Sequence, residues 1–271
     1  MSLTKTRSGE RALDAWQDAP PRAREIAAAL HAPEATPSPF EPARLDPLPE
    51  PARRWLTHAL TPGTVPPGAV ELRMHGQIRL GRWRPFTATQ LLVPDAGFVW
   101  AARTRLFGLP VTGFDAYAHS QGLMNWRLAG LLPVQSGSGA DIALGAVDRL
   151  AAESVLVPSA LLDATWCRGP DPNSATYVHP FGDRHWRSRA TVYVAPDGRL
   201  TRVSMHRWGR PDGEPFGLHQ FDVVFDGEFE ADGLRIGDGI RAAWLDAHGA
   251  RREFYRATID TAHFFGTAPT P

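Results

Sequence analysis

The chain has 271 residues, 43% of them hydrophobic and 21% charged, which excludes disorder throughout and leaves room for a full core. Its 29 basic and 29 acidic residues cancel, so there is no cationic surplus for nucleic-acid phosphates or an anionic membrane. Lys5 is the only lysine, a bias that reads as a GC-rich bacterial genome rather than arginine-specific recognition.

Proline divides the chain, with 12 of the 25 prolines in the first 68 residues. Residues 9–31 read as two helical pieces broken at Pro20-Pro21, the second with Ile26, Ala27 and Leu30 on one face. Pro33 to Pro51 reads as an extended linker or strap, and Pro51 opens a short helix, Ala52 to Leu60, that presents Trp55 and Leu56. Thr61 to Gly68 is turn-rich. Residues 1–50 are thus expected to form an arm, and residues 51–265 the body.

From Ala69 the hydrophobic period becomes two. Val70, Leu72, Met74, Ile78 and Leu80 alternate with polar neighbours, the signature of a half-buried strand. Phe98, Trp100, Ala102 and Leu106 repeat the pattern, as do Met124, Trp126 and Leu128. Leu144, Val147, Leu150 and Ala151 then recur at helical spacing after the loop Ser136-Gly137-Ser138-Gly139, predicting a helix near 143–156 that Pro158 ends. Ala190 to Val194 and Leu200 to Trp208 flank the turn Ala195-Pro196-Asp197-Gly198. Phe221, Val223 and Phe225 lead to a second turn signal, Asp226-Gly227. Ile240, Ala242 and Trp244, then Tyr255, Ala257 and Ile259, complete the set. The predicted fold is α+β but mainly β: a curved antiparallel sheet or half-barrel around an internal helix, preceded by a helical, Pro-rich arm.

Tryptophan carries the main functional signal. Nine are present, and Trp83, Trp100, Trp126, Trp208 and Trp244 fall on predicted strands or their edges. Each joins a large apolar body to one N–H, which suits the wall of a cavity for a bulky apolar ligand; a half-wrapped sheet also needs such side chains as filler. Arg149 and Glu153 lie four apart and share a helix face. Facing the sheet interior they would anchor a polar group, whereas the plainer alternative is a surface pair or a helix–sheet clasp. Asp115, Tyr117 and His119 alternate in GFDAYAHS, and an aspartate orienting a histidine is the minimum for general-base work; a strand-end histidine with ordinary partners is the plainer reading. His179, Asp183 and His185, with His206 or His219, suggest a metal site, yet their spacing matches no ligand signature, so a solvated loop and no metal are expected.

Cys167 reads as a small apolar filler beside Trp166, and a single cysteine excludes a disulfide framework. G-x-S-x-G, the P-loop and the Rossmann fingerprint are absent, so no nucleotide cofactor is expected. Met1 to Pro21 lacks an apolar run of signal-peptide length, and nothing reaches the roughly 18 apolar residues of a membrane span, so a cytoplasmic protein is expected.

Trp83-Arg84-Pro85-Phe86-Thr87-Ala88-Thr89-Gln90, Gly97 to Arg103, Asp115-Ala116-Tyr117, Arg149-Leu150-Ala151-Ala152-Glu153 and Val157-Pro158-Ser159-Ala160-Leu161-Leu162 come in an order that resembles a widespread, largely bacterial family of uncharacterised proteins, a domain of unknown function. The likeness spans roughly residues 49–262, and Arg149 to Trp166 is its most specific block. It implies a mainly antiparallel β fold and no agreed activity. After Trp166 the chain departs from the family: Cys167-Arg168-Gly169-Pro170-Asp171 stands in place of an acidic pair. The sheet-around-helix picture also looks like the lipoprotein-carrier half-barrels, which hold acyl chains in an apolar concavity, and that likeness is one of architecture.

The first functional expectation is binding of a bulky apolar small molecule (a lipid, polyketide or terpenoid), with Trp83, Trp100, Trp126 and Trp244 lining the cavity. Gln90, Asp115, Arg149 and Glu153 would supply its polar contacts. A cofactor-free cyclase or isomerase is the alternative, with Asp115 or Glu153 as acid or base. A third reading makes residues 1–50 an interaction arm on a β platform.

Overall fold

Alternating apolar residues bury one face of a strand, and two such faces meet only if the sheet curls or is covered. In the computed structural model, which describes residues 16–30, 38–179, 186–211 and 213–266, the sheet does both. Strands β1 (Ala69–Leu80), β2 (Arg82–Val93), β3 (Gly97–Leu106), β4 (Leu109–Ala118), β5 (Gln121–Leu128) and β6 (Leu132–Ser138) form one meander. A second follows in β7 (Thr165–Arg168), β8 (Ser174–Val178), β9 (Arg189–Val194), β10 (Leu200–Gly209), β11 (Gly217–Ala231), β12 (Leu234–Leu245) and β13 (Arg251–Phe265). Pairing of β1 with β13 joins them into one 13-stranded sheet that ends in two free edges, β6 and β7. Each neighbouring pair is antiparallel, as the alternation predicts.

Helix α1 (Pro21–Ala29) carries proline at its first turn, where a missing N–H costs nothing. Its Ala23 and Ile26, with Trp16 and Leu30, cover the outer face of the sheet at Leu91, Val93, Val99, Ala101, Phe114 and Ala116. Helix α2 (Glu50–Ala59) buries Trp55 and Leu56 against β8, β9 and β12. Helix α3 (Ala140–Glu153) runs on as a 3-10 turn, Ser154–Leu156, and the two together lie inside the concavity, with α3 against β5 and β10. No described helix is long and apolar enough to cross a membrane.

Several expectations are corrected. Asp226-Gly227 does not turn: it sits within β11, and the chain reverses at Asp232-Gly233, both with positive φ (51° and 79°). Ser136 to Ser138, expected as loop, are the end of edge strand β6. Cys167 is exposed on β7, touched by Arg189 Nη2 at 3.7 Å, and fills no core. His179 is buried with its Nε2 3.0 Å from Ser154 Oγ, while Asp183 and His185 lie outside the described residues, as do 1–15 and 31–37 of the expected arm.

Candidate functional site

Register places the site. Gln90 on β2, Trp100 on β3, Asp115 on β4 and Met124 on β5 are successive partners, so they form one row across the concave face. Arg149 and Glu153, one turn apart on α3, come down onto this row. The Arg149 Nε donates to Glu153 Oε1 at 2.7 Å and its Nη1 to Asp115 Oδ2 at 3.1 Å. Gln90 Nε2 donates to the other Glu153 oxygen at 2.6 Å, and Trp126 Nε1 to the other Asp115 oxygen at 2.8 Å. All four carboxylate oxygens are engaged. The guanidinium also sits over the rings of Phe98 (4.6 Å) and Trp100 (5.3 Å), which favour its charge.

The two partners feel burial differently. Burial pushes the Asp115 carboxyl above its ordinary range, against the pull of Arg149 and the Trp126 N–H. Burial also works against the Arg149 charge, but Glu153 and Asp115 together outweigh it and raise that pKa. One cation shared between two acids explains the asymmetry.

A second guanidinium lies beside this network. Arg207 follows Val203 and Met205 at an inward-facing position of β10. Its Nε and Nη2 reach the carbonyl oxygen of Gly145 at 3.4 and 3.3 Å, and its guanidinium lies over Phe221 (4.9 Å) and Trp244 (5.4 Å). Among the described residues no carboxylate oxygen comes within 4.0 Å of it. Burial, then the like charge of Arg149, push its pKa down to about 10. The nearby Asp148 is otherwise occupied: its Oδ1 accepts from Trp186 Nε1 (2.9 Å) and Ser188 Oγ (2.5 Å), and its Oδ2 from the Trp208 N–H (2.7 Å).

Two cavities meet here. The outer one, about 610 Å³, is walled by Met124, Ile142, Gly145, Trp208, Phe216 and Trp244. The inner one, about 170 Å³, lies between α3 and the sheet, against Met74, Ile78, Trp100, Phe225, Phe254 and Tyr255. Asp115, Arg149 and Arg207 line both, and the charged wall they share is termed the neck. Trp100 is 3% exposed and its Nε1 has no hydrogen-bond partner among the described residues. Tyr255 donates to Met74 Sδ at 3.1 Å, and burial raises its phenol pKa.

The structure therefore gathers Gln90, Trp100, Asp115, Arg149 and Glu153 into one cluster, with Trp244 on the outer wall; Trp126, expected to line the cavity, instead stands behind Asp115 and Trp100 and lines neither cavity. Trp83 does not join them. It has the opposite strand parity to Gln90, lies on the outer face beneath the Arg256 guanidinium (4.4 Å), and lines neither cavity. His119 is no partner for Asp115: it stands exposed with φ 50° in the β4–β5 turn, past the end of the strand. His206 faces solvent, and His219 contacts the Pro215 carbonyl oxygen at 3.0 Å. Sequence reasoning missed Arg207 and Tyr255. The signal for Arg207 was a charge at the inward position of the alternation Val203, Met205, Arg207.

The chain matches no curated protein. Among solved structures it is similar to a LolA superfamily protein from Nitrosomonas europaea, with 8% identity and a TM-score of 0.43 over 81% of this chain and 93% of that one. It is also similar to a DUF1329 family protein from Desulfovibrio piger, with 12% identity and a TM-score of 0.40 over 73% of this chain and 86% of that one. Residues 38–256 match the family of unknown function DUF6544, and the chain belongs to that family.

Proposed function

We propose that this protein binds a small, largely apolar molecule in the concavity of its half-barrel. The observation that carries the reading is a pair of adjacent cavities that share a charged wall, an outer one of about 610 Å³ and an aromatic-lined inner one of about 170 Å³. Small-molecule sites are typically concave, mostly apolar and marked by a few convergent polar groups, with volumes of roughly 300–1,000 Å³. Trp100, Phe225, Phe254 and Tyr255 supply the apolar wall, and Gln90, Asp115, Arg149 and Glu153 the polar contacts.

Binding is favoured over catalysis by the state of the acids. A cyclase or isomerase working by proton transfer needs a carboxyl group free to give or take a proton at the substrate. Here Asp115 and Glu153 each have both oxygens engaged, by Arg149 with Trp126 and by Arg149 with Gln90. The interaction-arm reading loses support from Trp16 to Leu30, whose apolar side chains are packed onto the outer face of the sheet.

The test uses a neutral apolar dye, N-phenylnaphthylamine, and native mass spectrometry before and after organic extraction. Wild type is expected to bind the dye saturably, one per chain, or to release a discrete adduct on extraction. Ala242 lines the inner cavity and is 6% exposed, so Ala242→Phe is expected to fill it and abolish dye binding while the circular dichroism stays unchanged. Equal dye binding by wild type and a folded A242F overturns the reading.

A further inference from the structure

We propose that Arg207 seats a monoanionic head group, a carboxylate in the first instance, on the molecule whose apolar part occupies the inner cavity. This rests on the binding function proposed above and names the chemical class of the ligand.

The two guanidinium groups are unequally partnered. Arg149 has two carboxylates within 3.1 Å. Arg207, the other guanidinium in the neck, has only a peptide carbonyl at 3.3–3.4 Å and two aromatic faces, and its Nη1 makes no hydrogen bond among the described residues. A peptide oxygen is a weak counterpart for a half-buried cation; the energetically complete arrangement adds an anion. None of the three acids whose charge acts on Arg207 can take that role without leaving other donors unsatisfied. Asp115 and Glu153 are held by Arg149, Trp126 and Gln90, and Asp148 by Trp186, Ser188 and the Trp208 N–H. The depressed pKa of Arg207 fits the same picture, since burial and Arg149 prevail there over all three acids.

Position does the rest. Arg207 borders both cavities, so an anion paired with it would stand beside the apolar inner cavity and within reach of the outer one. Phe221 and Trp244 lie against the guanidinium at 4.9 and 5.4 Å, and its planar fork suits a planar two-oxygen partner. A single charge is the most the neck accommodates: among the described residues Arg207 has no carboxylate within 4.0 Å to compete with a first anion, whereas Asp115, Glu153 and Asp148 already act on it and would oppose a second negative charge. An apolar cavity of about 150 Å³ holds one benzene ring. The inner cavity, about 170 Å³, therefore suits one ring or a short chain, with the remainder of the ligand in the outer cavity.

The experiment measures displacement of bound N-phenylnaphthylamine from the full chain by decanoate, decanol and decyl phosphate at neutral pH and low salt. Decanoate is expected to displace the dye at a concentration about tenfold below that of decanol, as a charge-assisted hydrogen bond implies. Decyl phosphate should not surpass decanoate. Arg207→Met should bring decanoate and decanol within about twofold of each other, and Arg207→Lys should restore part of the preference, if charge is what decanoate finds there. Equal potency of decanoate and decanol on wild type overturns the inference, as does a preference that survives in a folded R207M. Decyl phosphate winning clearly would overturn the monoanion. If the dye itself fails to bind, the binding function falls as well, so the two failures are separable.

Discussion

Arg149 is bound into the molecule by two acids, and taking it away should show how much of the site is also scaffold. Its side chain is 16% exposed, with Asp115 at 21% and Glu153 at 24%. Removing one member of a buried ion network leaves the others desolvated and unpaired, so Arg149→Met is expected to destabilise folding by about 3 kcal/mol in urea titrations. The same cluster gives a pH signature. Burial raises the Asp115 carboxyl above its unfolded range, so between that range and the raised value the folded protein keeps a proton the unfolded chain has lost. The stability this group contributes is therefore full at lower pH and declines as pH rises through the window. Asp115→Asn cannot titrate. The unfolding free energy of wild type minus that of D115N should shrink from pH about 4 toward neutrality. A difference that grows with pH would show Arg149 outweighing burial. At this scale the sequence exposed what spacing can expose: Arg149 and Glu153 share a helix face, and Asp115 has a strand parity. It could not tell that Trp83 and Gln90 face opposite ways, because strand register and the bounds of β2 were needed to count parity between them.

Glycine decides how closely α3 can approach the sheet. A Cβ on Gly122 of β5 would come within 2.5–2.6 Å of the backbone of Ile142 and Ala143, and one on Gly145 within 3.0 Å of the Trp208 carbonyl oxygen. The first turns of α3 thus rest directly on main chain at two edges of the concavity, and Arg207 reaches Gly145 because of it. Gly122→Ala must lift the helix or bend the strand, with a cost of about 2 kcal/mol for overpacking. Thermal melts should show that loss, and dye affinity should fall with it, since the neck is built from α3 on one side. Unchanged affinity would mean that the helix position does not shape the cavity. Elements were legible where one face stays wet: β1 and β10 announce themselves by alternation. Strand β4 did not, because α1 covers one face and α3 the other, and its apolar residues run on both. Two of the Asp-Gly pairs show the limit of turn signals. Both are suitable by composition, yet Asp232-Gly233 reverses the chain and Asp226-Gly227 continues a paired strand, a choice made by pairing with β12.

An open sheet of 13 strands wrapped on one internal helix leaves the molecule with a stable wall and a less constrained interior. The centre of the wall, β2 to β4, is packed on both faces, by α1 outside and by the α3 side inside. The edge strand β6 is different: Leu132 is 64% exposed and Val134 47%, and one side of its backbone has no strand partner. Local opening should therefore begin at β6 and at the α3 N-terminus that follows it, while β1 to β3 exchange their amides last. A ligand held at the neck touches α3, β4 and β10 together, so it ties the edge side of the concavity to its doubly packed centre. Binding to the folded state alone stabilises by about 2.7 kcal/mol at a hundredfold excess over Kd. Hydrogen exchange with and without saturating N-phenylnaphthylamine should show that protection concentrated in residues 140–153 and in β4, β5 and β10. Protection spread evenly over the sheet, or confined to the exposed end of β6, would place the dye on the surface rather than between the helix and the wall.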